Sequence, residues 1–145
     1  MKNLLINIVT VFTVTLLSIS AIAQDTHTLT VTVKGITEAK GVIAATLTND
    51  AENFPNVTSA IGQQKTAVTE KGELKLTFEN IPTGTYAIIL MQDLNENDEL
   101  DMNGPMPAEP FGFSKVDFLM GPPMFKDCAF EVNKDTETII SLISY

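Results

Sequence analysis

The chain has one cysteine, one histidine and no arginine among its 145 residues, and each shortage closes off a class of chemistry. Cys128 is the single thiol, so no intramolecular disulfide forms, and stability must come from packing or from a bound ion. His27 is the single imidazole and stands close to the start of the expected mature chain, where a terminal polar residue is the simpler reading. A Ser-His-Asp or Cys-His arrangement therefore lacks an anchored base. All nine basic residues are lysine, which removes the side chain best suited to bidentate phosphate recognition. Against 18 acidic residues they leave a net charge of -9, and nucleic acid and anionic membrane surfaces are poor partners for such a chain. Internal repeats, low-complexity tracts and a helical period beyond the N-terminal run are also missing.

At the N-terminus, Lys2, the apolar run "LLINIVTVFTVTLLSISAIA" and the small-residue signal Ala21-Ile22-Ala23 read as a signal peptide over residues 1–23. The run approaches the ~20 residues that span a bilayer, so an uncleaved anchor is the competing reading. The cleavage signal and the strand-like sequence just after it favour removal, with no membrane span remaining. No cysteine stands at the cleavage point to carry a lipid. A single domain over 24–145, periplasmic or extracellular, is expected. Loss of Lys2 takes its net charge from -9 to -10.

The remaining chain alternates. Leu29, Val31 and Val33 face one way while Thr28, Thr30, Thr32 and Lys34 face the other, the period of a half-buried strand. "GVIAATLTND" places Ile43, Ala45 and Leu47 on one face, a third run lies around Lys65 to Thr69, and Leu74, Leu76 and Phe78 alternate with charged and polar neighbours after the Lys71-Gly72 turn. "TYAIILMQ" is apolar on both faces and predicts a central strand covered on both sides. "CAFEV" and "TIISLISY" predict two final strands. Five of the seven prolines and three of the eight glycines fall between Asn103 and Pro123, which predicts a long ordered loop. About seven short strands with Gly/Pro turns predict an all-β fold, a single antiparallel β-sandwich of immunoglobulin-like or transthyretin-like type.

The most specific feature is "QDLNENDELDMNG", Gln92 to Gly104. Asp93, Asn95, Asn97 and Asp101 occupy the first, third, fifth and ninth places of an EF-hand-like loop, with Glu99 at the seventh, where a backbone carbonyl binds. Ca²⁺ takes six to eight oxygens at roughly 2.3–2.6 Å, and short Asp and Asn side chains on a tightly turning backbone supply them. Asp98 stands where Gly usually makes the turn, and Gly104 where a bidentate Glu usually closes the cage. Glu109 is the nearest downstream carboxylate to replace that Glu. The expected ligand set is Asp93, Asn95, Asn97, Glu99, Asp101 and Glu109. The alternative is a solvated turn held by Asx hydrogen bonds.

The run from Gly84 to Val132 resembles the C-terminal half of the exported bacterial proteins called domain of unknown function 2141. The resemblance is carried by Gly84, Tyr86 and Ala87; by Asp93, Asn95, Asn97, Leu100, Asp101 and Asn103; by Gly104, Pro107 and Glu109; by "GFS" from Gly112; and by Gly121, Pro122, Pro123 and Phe125. "LTVTVKGI" and "AENFP" extend it more loosely toward the N-terminus. Asp98 departs from the family's usual Gly. The resemblance implies an exported β-sandwich and brings no established reaction.

Other candidates read more simply as structure. Cys128 shares a face with Phe130 and Val132 and is expected to be a small buried residue. Ser114 is outside any nucleophile elbow and is expected to bind loop backbone. Phe111, Phe113, Phe118, Met120, Met124 and Phe125 either cap one end of the sandwich or form a patch for a protein or glycan partner. The expected function is a noncatalytic, calcium-stabilised module in binding or envelope structure. The alternative is an extracellular hydrolase using carboxylates of the same loop, which requires two separated carboxylates facing an open groove.

Overall fold

The computed structural model describes residues 25–145. The signal peptide read at 1–23 and the cleavage before Gln24 lie outside the described residues. Two open sheets face one another. In the first, β1 (Thr26–Ile36) is central between β4 (Gly72–Pro82) and β10 (Thr136–Ser141). The second runs β3 (Gly62–Ala67), β2 (Val42–Thr48), β5 (Gly84–Asp93), β8 (Phe111–Phe113), with β9 (Phe130–Val132) on the first residues of β5. A small hairpin of β6 (Met102–Asn103) and β7 (Met106–Pro107) and one helical turn, α1 (Phe125–Cys128), complete the described elements. Among the described residues no helix is long and apolar enough to cross a membrane.

The alternation read from the sequence decides the core. Leu29, Val31 and Val33 of β1, Ile43, Ala45 and Leu47 of β2, and Leu76 and Phe78 of β4 are buried between the sheets. β5 is covered on both faces. Its Ile88 and Leu90 enter that core, while Ala87 belongs to a second cluster on the outer face with Phe111, Phe113 and Cys128, against which Phe54 and Phe125 pack.

Several details differ from the sequence expectations. β10 pairs with β1 in parallel, Leu29↔Thr136 through Lys34↔Ser141, so the fold is not wholly antiparallel. After β10 the chain crosses to the other sheet: Phe111 and Ile143 exchange backbone hydrogen bonds of 3.1 and 2.7 Å, joining the sheets at one corner. The third strand is Gly62–Ala67 rather than Lys65 to Thr69; the Val68 N–H donates to the Gly41 carbonyl at 2.9 Å, one step beyond the Val42↔Ala67 pair, and the chain then leaves the sheet. The Pro/Gly-rich stretch holds three strands of two or three residues, too short to show a period. "CAFEV" begins as the end of α1 and becomes strand at Phe130. His27 lies within β1 opposite Ile81, with its Nε2 2.8 Å from Thr83 Oγ1, and is not part of a loose terminus.

The corner between β4 and β5 is set by one tyrosine. Tyr86 folds back so that its hydroxyl donates to the Pro82 carbonyl at 2.8 Å, and burial pushes its phenol pKa up. A Cβ on Gly84 would lie 2.9 Å from that hydroxyl, so the glycine makes room for the ring. Tyr86→Phe keeps the packing and removes the bond, and should lower the unfolding free energy by about 1–2 kcal/mol. Urea unfolding with an unchanged slope and a lower midpoint is the expected readout; an unchanged midpoint would show that the bond adds nothing to the corner.

Candidate functional site in the acidic loop

Asp93 is the last residue of β5, in register with Val42 of β2, and the acidic loop starts directly from it. Short side chains at alternate positions wind the backbone. Asp93 Oδ1 accepts the Asn97 N–H at 3.2 Å and Oδ2 accepts the Asp98 N–H at 2.8 Å. Asn95 Oδ1 accepts the Asn97 N–H at 3.1 Å, and Asn97 Oδ1 accepts the Glu99 N–H at 2.9 Å. Glu96 and Asp98 take positive φ values of 60° and 68°. Asp tolerates this region better than most residues with a side chain. The Asp98 carboxylate pairs with Lys65 of β3, an interaction that a glycine at this place lacks.

The far end of the loop closes on the near end. Asn95 Nδ2 donates to Asp101 Oδ2 at 2.6 Å, and Asn97 Nδ2 donates to Asp101 Oδ1 at 3.1 Å. The β6–β7 hairpin turns the chain back, and the Ala108 N–H reaches the Asp101 carbonyl at 2.7 Å. That return brings in Glu109, which is buried. Its Oε1 accepts the Leu94 N–H at 2.7 Å and its Oε2 accepts the Asp101 N–H at 3.2 Å, so one carboxylate clamps both ends of the loop.

Of the six residues expected as ligands, Asp93, Asn95, Asn97, Asp101 and Glu109 thus belong to one hydrogen-bonded unit. Glu99 joins through its backbone N–H, with its side chain exposed. Among the described residues no three His, Cys, Asp or Glu side chains are grouped to hold a metal. The loop's oxygens come from carboxamides as well as carboxylates. Each carboxylate oxygen has two lone-pair directions, of which one N–H fills one.

Asp93 is the most deeply buried acid of the loop. Burial would raise its pKa, and the N–H groups of Asp98, Asn97, Glu96 and Asn95 outweigh that and hold it below the ordinary aspartate value. With the folded pKa depressed, Asp93 contributes stability above its unfolded pKa, and that contribution is lost as pH falls through the folded value. In calcium-free buffer, Asp93→Asn should therefore be destabilised at neutral pH and should narrow its gap to the parent as pH drops below about 4. Unfolding midpoints across an acid series measure this; a constant gap would show that the carboxylate charge is not what the N–H groups hold.

Cys128 is inert. Burial first, then the nearby Asp127 charge, pushes its thiol up to about 11, with Lys115 acting weakly in the opposite direction, so at neutral pH it is a protonated core residue. His27 pairs at the Ile81 end of β4, near the start of β5, whereas the acidic loop leaves its end, about 30 Å of strand away. The histidine and the loop carboxylates do not meet. Ser114, expected to bind loop backbone, instead binds the backbone of a strand and of the helical turn while fully buried: Oγ accepts the Ile88 N–H of β5 at 2.9 Å and donates to the Cys128 carbonyl of α1 at 2.7 Å. The Lys65–Asp98 pair was not anticipated, since 33 residues separate its partners.

A family model covers residues 31–140, from the middle of β1 to the end of β10, and so takes in both sheets and the whole acidic loop. The chain belongs to this family, described as "Uncharacterized protein conserved in bacteria (DUF2141)". No curated protein and no solved structure matches the chain. In this DUF2141 chain the Asp93–Asn97 and Gly104–Glu109 segments lie against one another, Glu109 of the second clamping the loop formed by the first.

Proposed function

We propose that this DUF2141 chain is an exported, noncatalytic β-sandwich module whose acidic loop binds one calcium ion, and that it serves in binding or envelope structure. The observation that carries the reading is the single network through Asp93, Asn95, Asn97, Asp101 and Glu109. In the structure the Asn95 and Asn97 NH₂ groups donate to the Asp101 carboxylate and relieve its charge. Asp93 and Asp101 would hold the ion by charge, the side-chain oxygens of Asn95, Asn97 and Glu109 and the Glu99 carbonyl would be its other ligands, and the ion would supply the neutralisation that the carboxamides give Asp101. The sequence at 1–23, read as a signal peptide, supports export. The hydrolase alternative gains nothing from a buried Asp93, which faces no open groove.

With no Gly at 98 and no Glu at 104, the affinity should fall near the 10⁻⁴ to 10⁻³ M order of extracellular modules. At ~2 mM Ca²⁺ and a Kd of ~10⁻⁴ M, linkage gives about 1.8 kcal/mol, equivalent to several degrees in Tm. Thermal unfolding with calcium and with chelator should show that shift in the parent and lose it in Asp101→Ala. A parent protein that melts identically in both buffers would leave the loop as a turn held by its own hydrogen bonds.

A further inference from the structure

Beside the acidic loop lies a groove of about 600 Å³ that no step of the calcium reading uses. Leu100 and Met102 line it from the loop side, Phe111 and Tyr145 form a stacked aromatic wall with centroids 6.1 Å apart, and Met120 and Pro122 close the far side. None of its lining residues is charged. The surface around it carries most of the large apolar side chains that stand in solvent, with Met102 55%, Phe118 73% and Met120 95% exposed. A contiguous patch of this kind marks an interaction surface, and flexible thioethers let it adapt to varied apolar shapes.

The charge around the groove selects the partner. Within two residues of its lining positions stand five acidic residues, Asp98, Glu99, Asp101, Glu109 and Asp117, against one lysine, Lys115. We propose that this face docks an apolar segment of a partner polypeptide that carries lysine or arginine beside its apolar residues. The inference deepens the binding role given above and rests on it. A small molecule would leave side chains as exposed as Phe118 and Met120 uncovered, whereas a polypeptide laid across the groove covers them. A second copy of this chain would bring another net charge of -9 or lower against the same acidic rim, and an anionic lipid surface is repelled in the same way.

The test uses three short synthetic peptides: one alternating leucine with lysine, one with glutamate in place of lysine, and one with serine in place of leucine. Binding is followed by fluorescence anisotropy, and the methionine methyl resonances report the location. The leucine–lysine peptide should bind, shift the Met102, Met106 and Met120 methyls, and weaken as salt rises. Met102→Ser/Met120→Ser, both at exposed positions, should weaken it about tenfold. Equal binding of the glutamate or serine peptide, an unaffected double variant, or a dimer that the same double variant dissociates would overturn the proposal, the last by placing a second copy on this face. Running the parent with calcium and with chelator separates the two readings, since a calcium-dependent Tm without peptide binding sinks this proposal and leaves the metal site standing.

Discussion

Gly41→Ala is expected to be among the most damaging single-methyl additions to this protein, lowering the unfolding free energy by about 2–5 kcal/mol. Gly41 ends the turn between β1 and β2 with φ 68°, a left-handed conformation that costs a residue with a side chain about 1–2 kcal/mol. The larger part is contact. An alanine Cβ would collide with the Asp93 carbonyl oxygen and sit 2.8 Å from the Leu94 Cα, both backbone atoms that cannot rotate away. The turn cannot retreat freely either, because the Gln92 carboxamide donates to the carbonyls of Glu38 and Lys40 at 2.9 Å each. What moves is the exit of β5, where the acidic loop begins. Gly41→Ala should therefore also abolish the calcium-dependent shift, since Asp93 and the Leu94 N–H held by Glu109 are displaced together.

Gly72→Ala serves as the control. Gly72 has φ 107°, and nothing lies within 4 Å of an added Cβ, so this variant carries the conformational cost without the collision. It should lose only about 1–2 kcal/mol and keep its calcium response. Equal losses in the two variants, read from urea unfolding, would show that the approach of Gly41 to Asp93 is not a tight one.

The strand faces were legible because burial on one side imposes a period of two, which survives in Leu29, Val31 and Val33 and in Leu76 and Phe78. The double covering of β5 was legible for the related reason that it removes the period. The parallel pairing of β1 with β10 left no local trace, since Thr136–Ser141 reads the same whichever neighbour it joins. Strands as short as Met102–Asn103 and Met106–Pro107 carry too few residues to alternate, yet their hairpin is what returns Glu109 to the loop. The alternation of Asp93, Asn95 and Asn97 was visible as a constellation. Its first job in the structure, accepting the loop's own N–H groups, follows from side-chain length and was only half of the expectation.

The second large loss is expected at Ser114, where polar satisfaction rather than space decides the outcome. β8 and β9 lie end to end along the same edge of β5, β8 against Ile89 to Met91 and β9 against Gly84 to Tyr86, which leaves a gap opposite Ile88. Ser114 fills it. Its N–H donates to the Ile88 carbonyl at 3.0 Å, its Oγ accepts the Ile88 N–H at 2.9 Å, and the same hydroxyl donates to the Cys128 carbonyl at 2.7 Å. One side chain therefore completes the β5 edge and ties down the end of α1. Ser114→Ala retains the backbone bond and orphans two buried groups, each costing about 1–3 kcal/mol, for a total of about 2–6 kcal/mol. Burial leaves no route for water to replace the hydroxyl without the seam opening. The loss should appear as a lower urea midpoint and as faster amide exchange at Ile88. The calcium-dependent shift should survive, because Glu109 and Asp93 hold the acidic loop without help from Ser114. A midpoint within about 0.5 kcal/mol of the parent would mean that the two backbone groups find other partners and that the seam is not held by this hydroxyl.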